Sequence, residues 1–225
     1  MNWLTEVLVP VAQKFGQHQV KDSFEFCEHI DKFMELHQDC SSVYMCSFDV
    51  VSLFTNVPLH EVIQICLNTL FRDEGVVAPP LPEEFLKKLL YKATSEVEFS
   101  FDGQLYRQTD GVAMGSPLGP VFANIFMGYL ESSIPKDEFP LLYDRFVDDT
   151  FAIFSDTTSV DTFFRKLNSL HPNVRFTMER EMDGALPFLD VGVARVNGGL
   201  QRSVHRKPTF TGFYTRWDSF CPTRH

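Results

Sequence analysis

The sequence predicts an α+β fold in which an antiparallel sheet packs on helices. Residues 43–54 form a near-continuous apolar run, the pattern of a strand covered on both faces. Leu141-Leu142-Tyr143 and Phe151-Ala152-Ile153-Phe154 flank Asp148-Asp149, so two β-prone runs meet at a tight acidic turn. Apolar residues at helical spacing fill much of the rest. With 225 residues the chain can bury a sizeable core, in one domain or two closely joined ones.

Residues 1–38 read as helical. Leu4, Val7, Leu8 and Val11 share one face, and Phe24, Cys27, Ile30 and Phe33 form another, with Asp22 or Ser23 as its cap. The 43–54 strand carries one acid, Asp49, and a lone carboxylate in a core is costly unless it is paired or binds a metal. Thr55-Asn56-Val57-Pro58 breaks that strand and opens a helix with Val62, Ile65, Cys66, Thr69 and Leu70 on one face, ended by Gly75. A proline-rich connector over 76–81 leads to a helix from Pro82 through Tyr91, with acids in its first turn. Residues 97–101 and 104–107 alternate around Asp102-Gly103, a hairpin signal.

The loop from Gly111 to Pro120 follows, with Ser116 as an N-cap and Pro117 as the first residue of an almost wholly apolar helix over 118–130. Its glycines permit unusual backbone angles or the close approach of a phosphate or base pair. A tight structural turn is the plainer reading of the same residues, and the Gly-Lys-Ser/Thr of a Walker loop is absent. After the acidic turn, 160–170 reads as a helix and 174–178 as a strand. Residues 187–196 and 200–205 make a ribbon around Asn197-Gly198-Gly199, closed by Arg206-Lys207-Pro208. Neighbouring strand residues face opposite ways, so Asp148 and Asp149 converge only if the turn redirects one of them.

The net charge of −10 argues against a general polyanion binder. The charge is uneven: residues 1–39 hold seven acids and three lysines, whereas residues 195–225 hold six Lys or Arg and one acid, Asp218. That asymmetry points to a polyanion near the C-terminal part. Cys27, Cys40, Cys46, Cys66 and Cys221 show no Cys-x-x-Cys spacing, which fits reduced thiols in an intracellular protein rather than disulfides or a zinc site. No apolar run reaches membrane-spanning length, and no signal peptide is evident.

Taken in order, the motifs resemble the palm of a reverse transcriptase. Ser47-Phe48-Asp49-Val50-Val51-Ser52-Leu53-Phe54 is similar to that family's first catalytic motif, Gly111 to Pro120 to its template- and nucleotide-contacting loop, and Phe146-Val147-Asp148-Asp149 to its aromatic-x-Asp-Asp box. Phe188-Leu189-Asp190-Val191, the run from His205 to Gly212, and Thr215-Arg216-Trp217-Asp218-Ser219-Phe220-Cys221-Pro222 resemble Penelope-like retroelements in particular.

The resemblance implies a right-hand polymerase palm with partial fingers: a helical segment over 1–40, the palm with a finger insert over 41–186, and a C-terminal ribbon with the start of a thumb over 187–225. It implies an RNA-directed DNA polymerase that transfers a nucleotide from dNTP to a DNA primer on an RNA template, in the nucleus and without a membrane. Asp49, Asp148 and Asp149 would be the catalytic acids; with the Val50 carbonyl they would hold two Mg²⁺ ions, Mn²⁺ being the substitute. Phe54 would exclude a ribose 2′-hydroxyl. Gly115, Ser116 and Pro117 would lie at the templating pair, while Arg206, Lys207 and Arg216 would touch the nucleic-acid backbone. The family's common Gln has no counterpart, since Met114 precedes Gly115 and Gln108 lies outside the loop. Asp190 reads as a strand or turn acid.

Basic fingers segments, a full thumb and a GIY-YIG endonuclease, which such proteins carry, have no motif in this sequence; the chain is expected to be a palm without them. One alternative is a non-catalytic remnant that acts, if at all, as a binding module. Another is a metal-dependent nuclease, which leaves Phe54 and the Gly-Ser-Pro loop without a role.

Overall fold

The computed structural model describes residues 2–95, 98–108, 111–113 and 116–212. In chain order the elements are α1 (Asn2–Phe15), α2 (Ser23–Leu36), β1 (Tyr44–Val50), α3 (Leu53–Asn56), α4 (Leu59–Arg72), α5 (Glu83–Thr94), β2 (Glu98–Phe101) and β3 (Gln104–Arg107). Then come α6 (Leu118–Glu131), β4 (Leu142–Phe146), β5 (Asp149–Phe154), α7 (Thr157–Leu167), β6 (Phe176–Arg180), β7 (Ala185–Phe188), β8 (Val191–Val196) and β9 (Gly199–Val204). Among the described residues no helix is long and apolar enough to cross a membrane.

The architecture is α+β, as the apolar patterning predicts. β1 lies inside a four-stranded sheet of order β4-β5-β1-β6, antiparallel throughout. Its alternate residues feed two cores, which is why the run is apolar on both parities. Cys46, Phe48 and Val50, with Ala152 and Phe154 of β5, join a core built with α1, α4, α5, α6 and α7. Met45, with Phe151 and Ile153, faces α2 and the three-stranded meander β7-β8-β9. α6 is buried almost all round. It also passes so close to α1 that a Cβ on Gly128 would sit 1.9 Å from the Phe15 carbonyl oxygen.

Local signals set several boundaries. The Asp22 carboxylate accepts from the backbone N–H of Phe24 and Glu25 at 3.0 and 2.9 Å and so caps α2. Asp102-Gly103 and Asn197-Gly198 both have positive φ at the two turn positions, as type I′ hairpins require. Cys40, Cys46 and Cys66 are buried free thiols and Cys27 is half-buried; burial pushes the Cys46 thiol up to about 12. Cys221 lies outside the described residues.

Other expectations are corrected. The 43–54 strand ends at Val50: Ser52 takes a left-handed conformation, φ +51°, and Leu53–Asn56 is a helical turn. α2 buries Phe26, Ile30 and Phe33, while Phe24 is exposed. The stripe is set by the rings it meets, Phe151 and Phe188, whose centroids lie 5.0 and 4.9 Å from that of Phe26. α4 ends at Arg72, before Gly75. α6 starts at Leu118 with Pro117 at its cap, and Ser116 Oγ only approaches the Leu118 N–H at 3.4 Å. α7 runs from Thr157, capped by Asp156, to Leu167, three residues upstream of the expected span. The 187–196 strand is divided at Leu189 and Asp190, both at positive φ, into β7 and β8. Asp190 is thus a turn residue, and its carbonyl accepts from the His205 N–H at 2.8 Å.

Candidate active site

The acids are brought together by strand register. Asp49 is the penultimate residue of β1 and Asp149 opens β5, and the two are direct cross-strand partners. They share the parity of Met45, Ser47, Phe151 and Ile153, so both belong to the sheet face that carries α2 and the meander. Directly opposed like charges are unfavourable unless a cation joins them. Asp148 sits in the two-residue turn between β4 and β5, and its carbonyl accepts from the Val50 N–H at 3.0 Å. The turn thus ties the Asp148 backbone to the end of β1, one residue beyond Asp49.

Asp49 is exposed, and Asp148 and Asp149 are half-buried. The expected penalty for an acid in a core strand is eased, because Asp49 itself is exposed while its neighbours Phe48 and Val50 are buried. Desolvation and then the Asp148 charge push the Asp49 carboxyl up. Desolvation, followed by the charges of Asp49 and Asp148, pushes Asp149 up to about 6, against the Thr150 backbone N–H and the Lys207 charge.

The turn is strained. Val147 has φ +58°, a conformation that β-branched residues rarely adopt. Its carbonyl accepts from Arg145 Nη1 at 3.0 Å. Arg145 follows the opposite parity to the acids and points at α6, where it is fully buried. Its Nε and Nη2 meet the two oxygens of buried Glu131 at 2.6 and 3.1 Å, and Nη1 also meets Asn124 Oδ1 at 2.9 Å. Burial opposes the Arg145 charge, but the Glu131 charge and hydrogen bonds outweigh it and raise the guanidinium further. Neither Arg145 nor Glu131 belongs to a sequence motif that assigns it a role. The available signals were an arginine inside a β-prone run and an acid ending an apolar helix.

Phe54 lies on α3, half-buried, with its backbone carbonyl accepting from the Val112 N–H at 2.7 Å. The chain at Gly111 crosses here with φ +77°, and a Cβ there would stand 2.7 Å from the carbonyl oxygens of Phe54 and Thr55. Only glycine allows that approach. A Cβ on Gly119 would lie 3.6 Å from the Phe54 ring. Phe54 and the segment leading into α6 therefore form one wall. Ser116 is half-buried and Pro117 exposed at its end; Gly115 lies outside the described residues.

Arg206 and Lys207 leave β9 exposed, with the Arg206 guanidinium 4.9 Å from the Phe210 ring centroid. Lys207 is close enough for its charge to act on Asp149. Arg216 lies outside the described residues.

Among the described residues no group of three or more Asp, Glu, His or Cys side chains is gathered closely enough to hold a metal ion by itself. A cross-strand carboxylate pair with a third acid in the adjoining turn is an open donor set. It suits Mg²⁺, which keeps waters and substrate phosphates in its shell and takes only one or two protein carboxylates. The raised Asp49 and Asp149 carboxyls mark a place where a cation would relieve repulsion.

Residues 2–181 match the family described as reverse transcriptase (RNA-dependent DNA polymerase). No curated protein matches the chain. Among solved structures, apo telomerase from Candida tropicalis, truncated from its C-terminal domain, aligns with a TM-score of 0.70 at 15% identity, over 90% of this chain and 45% of that one. Telomerase from Candida albicans, solved with the TWJ fragment of telomeric RNA, aligns with a TM-score of 0.69 at 13% identity, over 92% and 41%. At such identity the likeness is one of fold, and the chain spans less than half the length of either.

Proposed function

We propose, for a chain that belongs to the reverse transcriptase (RNA-dependent DNA polymerase) family, that residues 41–186 are a catalytic palm that extends a DNA primer with dNTPs on an RNA template. The observation that carries this reading is the register pairing of Asp49 with Asp149, with the Asp148 carbonyl held by the Val50 N–H. Asp49, Asp148, Asp149 and the Val50 carbonyl would hold Mg²⁺, or Mn²⁺ in its place. Bound there, the two ions supply charge stabilisation for in-line attack of the primer 3′-hydroxyl on the dNTP, with pyrophosphate leaving.

The chain's own residues do the placing. The wall made by Phe54, Val112 and Gly119 adjoins β1 at the acid end, where a ring would crowd a ribose 2′-hydroxyl. Ser116 and Pro117 open α6 beside it. Lys207, whose charge acts on Asp149, and the exposed Arg206 would meet a primer or template phosphate. The RNA bound by the Candida albicans neighbour supports an RNA template partner. The Phe188-Leu189-Asp190-Val191 and His205–Gly212 wording supports an origin in a Penelope-like retroelement, and with it action in the nucleus.

Primer extension on an RNA template tests the reading. Expected is dNTP-dependent extension that needs Mg²⁺ or Mn²⁺; no extension, together with no Mn²⁺ binding in the low-millimolar range, sinks it. Phe54→Val is expected to raise ribonucleotide use relative to dNTP use by about 10–100-fold. Unchanged discrimination would reduce Phe54 to core packing.

A further inference from the structure

We infer that Arg145 is a positioning residue for the acidic turn: from the helix side of the sheet its guanidinium holds the Val147 carbonyl and so keeps Asp148 and Asp149 in register with Asp49. The inference rests on the polymerase reading for its catalytic consequence, though not for the clamp itself.

Three observations converge on it. First, Arg145 is the largest side chain fully buried in the described chain, with 0% exposure, and Glu131 is 2% exposed. Burying an ion pair is a poor way to gain stability, since apolar residues of equal volume serve as well or better. Second, its fork is divided. Nε and Nη2 are fixed by Glu131, whose Oε1 also accepts from Tyr143 Oη at 3.1 Å, and this leaves Nη1 aimed at Asn124 and the Val147 carbonyl. Third, the group it holds belongs to the one residue of the acid turn at positive φ. A strained conformation persists where the surroundings over-determine it. The Arg145 backbone is itself fixed, its N–H donating to the His18 carbonyl at 2.7 Å and its carbonyl accepting from Val20 at 2.9 Å. The clamp thus links α6, β4 and the 18–20 segment to the turn.

The deciding variant is Glu131→Leu/Arg145→Met, which removes both charges without leaving either buried alone. Its thermal midpoint is expected within about 5 °C of the wild type. Amide exchange over 146–150 should accelerate about tenfold or more while α6 keeps its protection. The kcat of primer extension should fall about 100-fold with the dNTP KM little changed. Adding Val147→Gly, which takes positive φ freely, should recover kcat to within about tenfold of the wild type. Arg145→Lys keeps the charge opposite Glu131 and loses the second branch, so it should follow the same pattern at about tenfold.

Wild-type exchange over 146–150 in the double variant, or acceleration spread evenly over the chain, would overturn the clamp. So would a kcat that Val147→Gly leaves unrescued. If the wild-type chain neither extends a primer nor binds Mn²⁺, the polymerase reading fails, and the exchange comparison still decides the clamp.

Discussion

Asp148→Ala lowers primer extension by about 10³- to 10⁴-fold, and Asp49→Ala does the same. The size follows from the several kcal/mol that metal-held charge contributes to a phosphoryl-transfer transition state. Neither residue supports the core: Asp49 is exposed, one residue before the end of β1, and Asp148 is in a turn. Loss of activity should therefore come without loss of fold, read by circular dichroism on the same samples. Undiminished extension in Asp148→Ala would remove the carboxylates from the chemistry.

Asp149→Asn goes further and separates activity from stability. In the folded chain this group sits at about 6, above its ordinary 3.8. Between those values the folded state binds a proton that the unfolded state has released, so metal-free stability falls as pH rises through that window. Above pH 6 Asn is expected to gain about 1–2 kcal/mol after discounting for solvent at this half-buried site, or roughly 2–8 °C in the thermal midpoint. Midpoints measured from pH 4 to 8 in chelator check the slope. A variant and wild type that run parallel across that range would discard the account.

Gly128→Ala carries the largest expected cost in stability. Its new Cβ would meet the Phe15 carbonyl oxygen at 1.9 Å, the carbonyl carbon at 2.8 Å and the Phe15 Cβ at 2.9 Å. Two of these three atoms are backbone, so no side-chain rotation clears the clash, and α1 must move off α6. A loss of about 3 kcal/mol is expected, the upper end for overpacking, or roughly 6–12 °C. The chain leaving α1 reaches His18 and Val20, whose backbone bonds hold Arg145, so displacement there also reaches the turn. A midpoint within about 2 °C of the wild type would mean that α1 is not seated on α6.

What the sequence disclosed is what short stretches encode. The acidic turn, the Asp102-Gly103 and Asn197-Gly198 hairpins and the apolar α6 are local patterns with local causes. Asp183-Gly184 is a further turn of the same kind, φ +51° and +75°, and the identical signal could have found it. Long-range register was not legible: nothing in residues 44–50 says that Asp49 will meet Asp149 rather than a neighbour. Left-handed backbone at Ser52, Leu189 and Asp190 was also hidden, because none of them is the glycine that would have announced the bend. Arg145 and Glu131 are fourteen positions apart on different elements, and each alone reads as an ordinary charge.

The central place of β1 also governs when the site can exist during synthesis. Tyr44 must wait for Phe154, and the other edge of β1 must wait for β6. Strands so far apart in sequence close late, after the chain between them has met the entropy cost of a long loop. At about 5–20 residues per second, the ribosome takes roughly 5–20 s to deliver β5 after β1. Throughout that interval an apolar strand is without partners and open to association with other nascent chains. Expression yield should therefore depend on translation speed and chaperone supply across residues 50–150 more than on the final stability of the sheet.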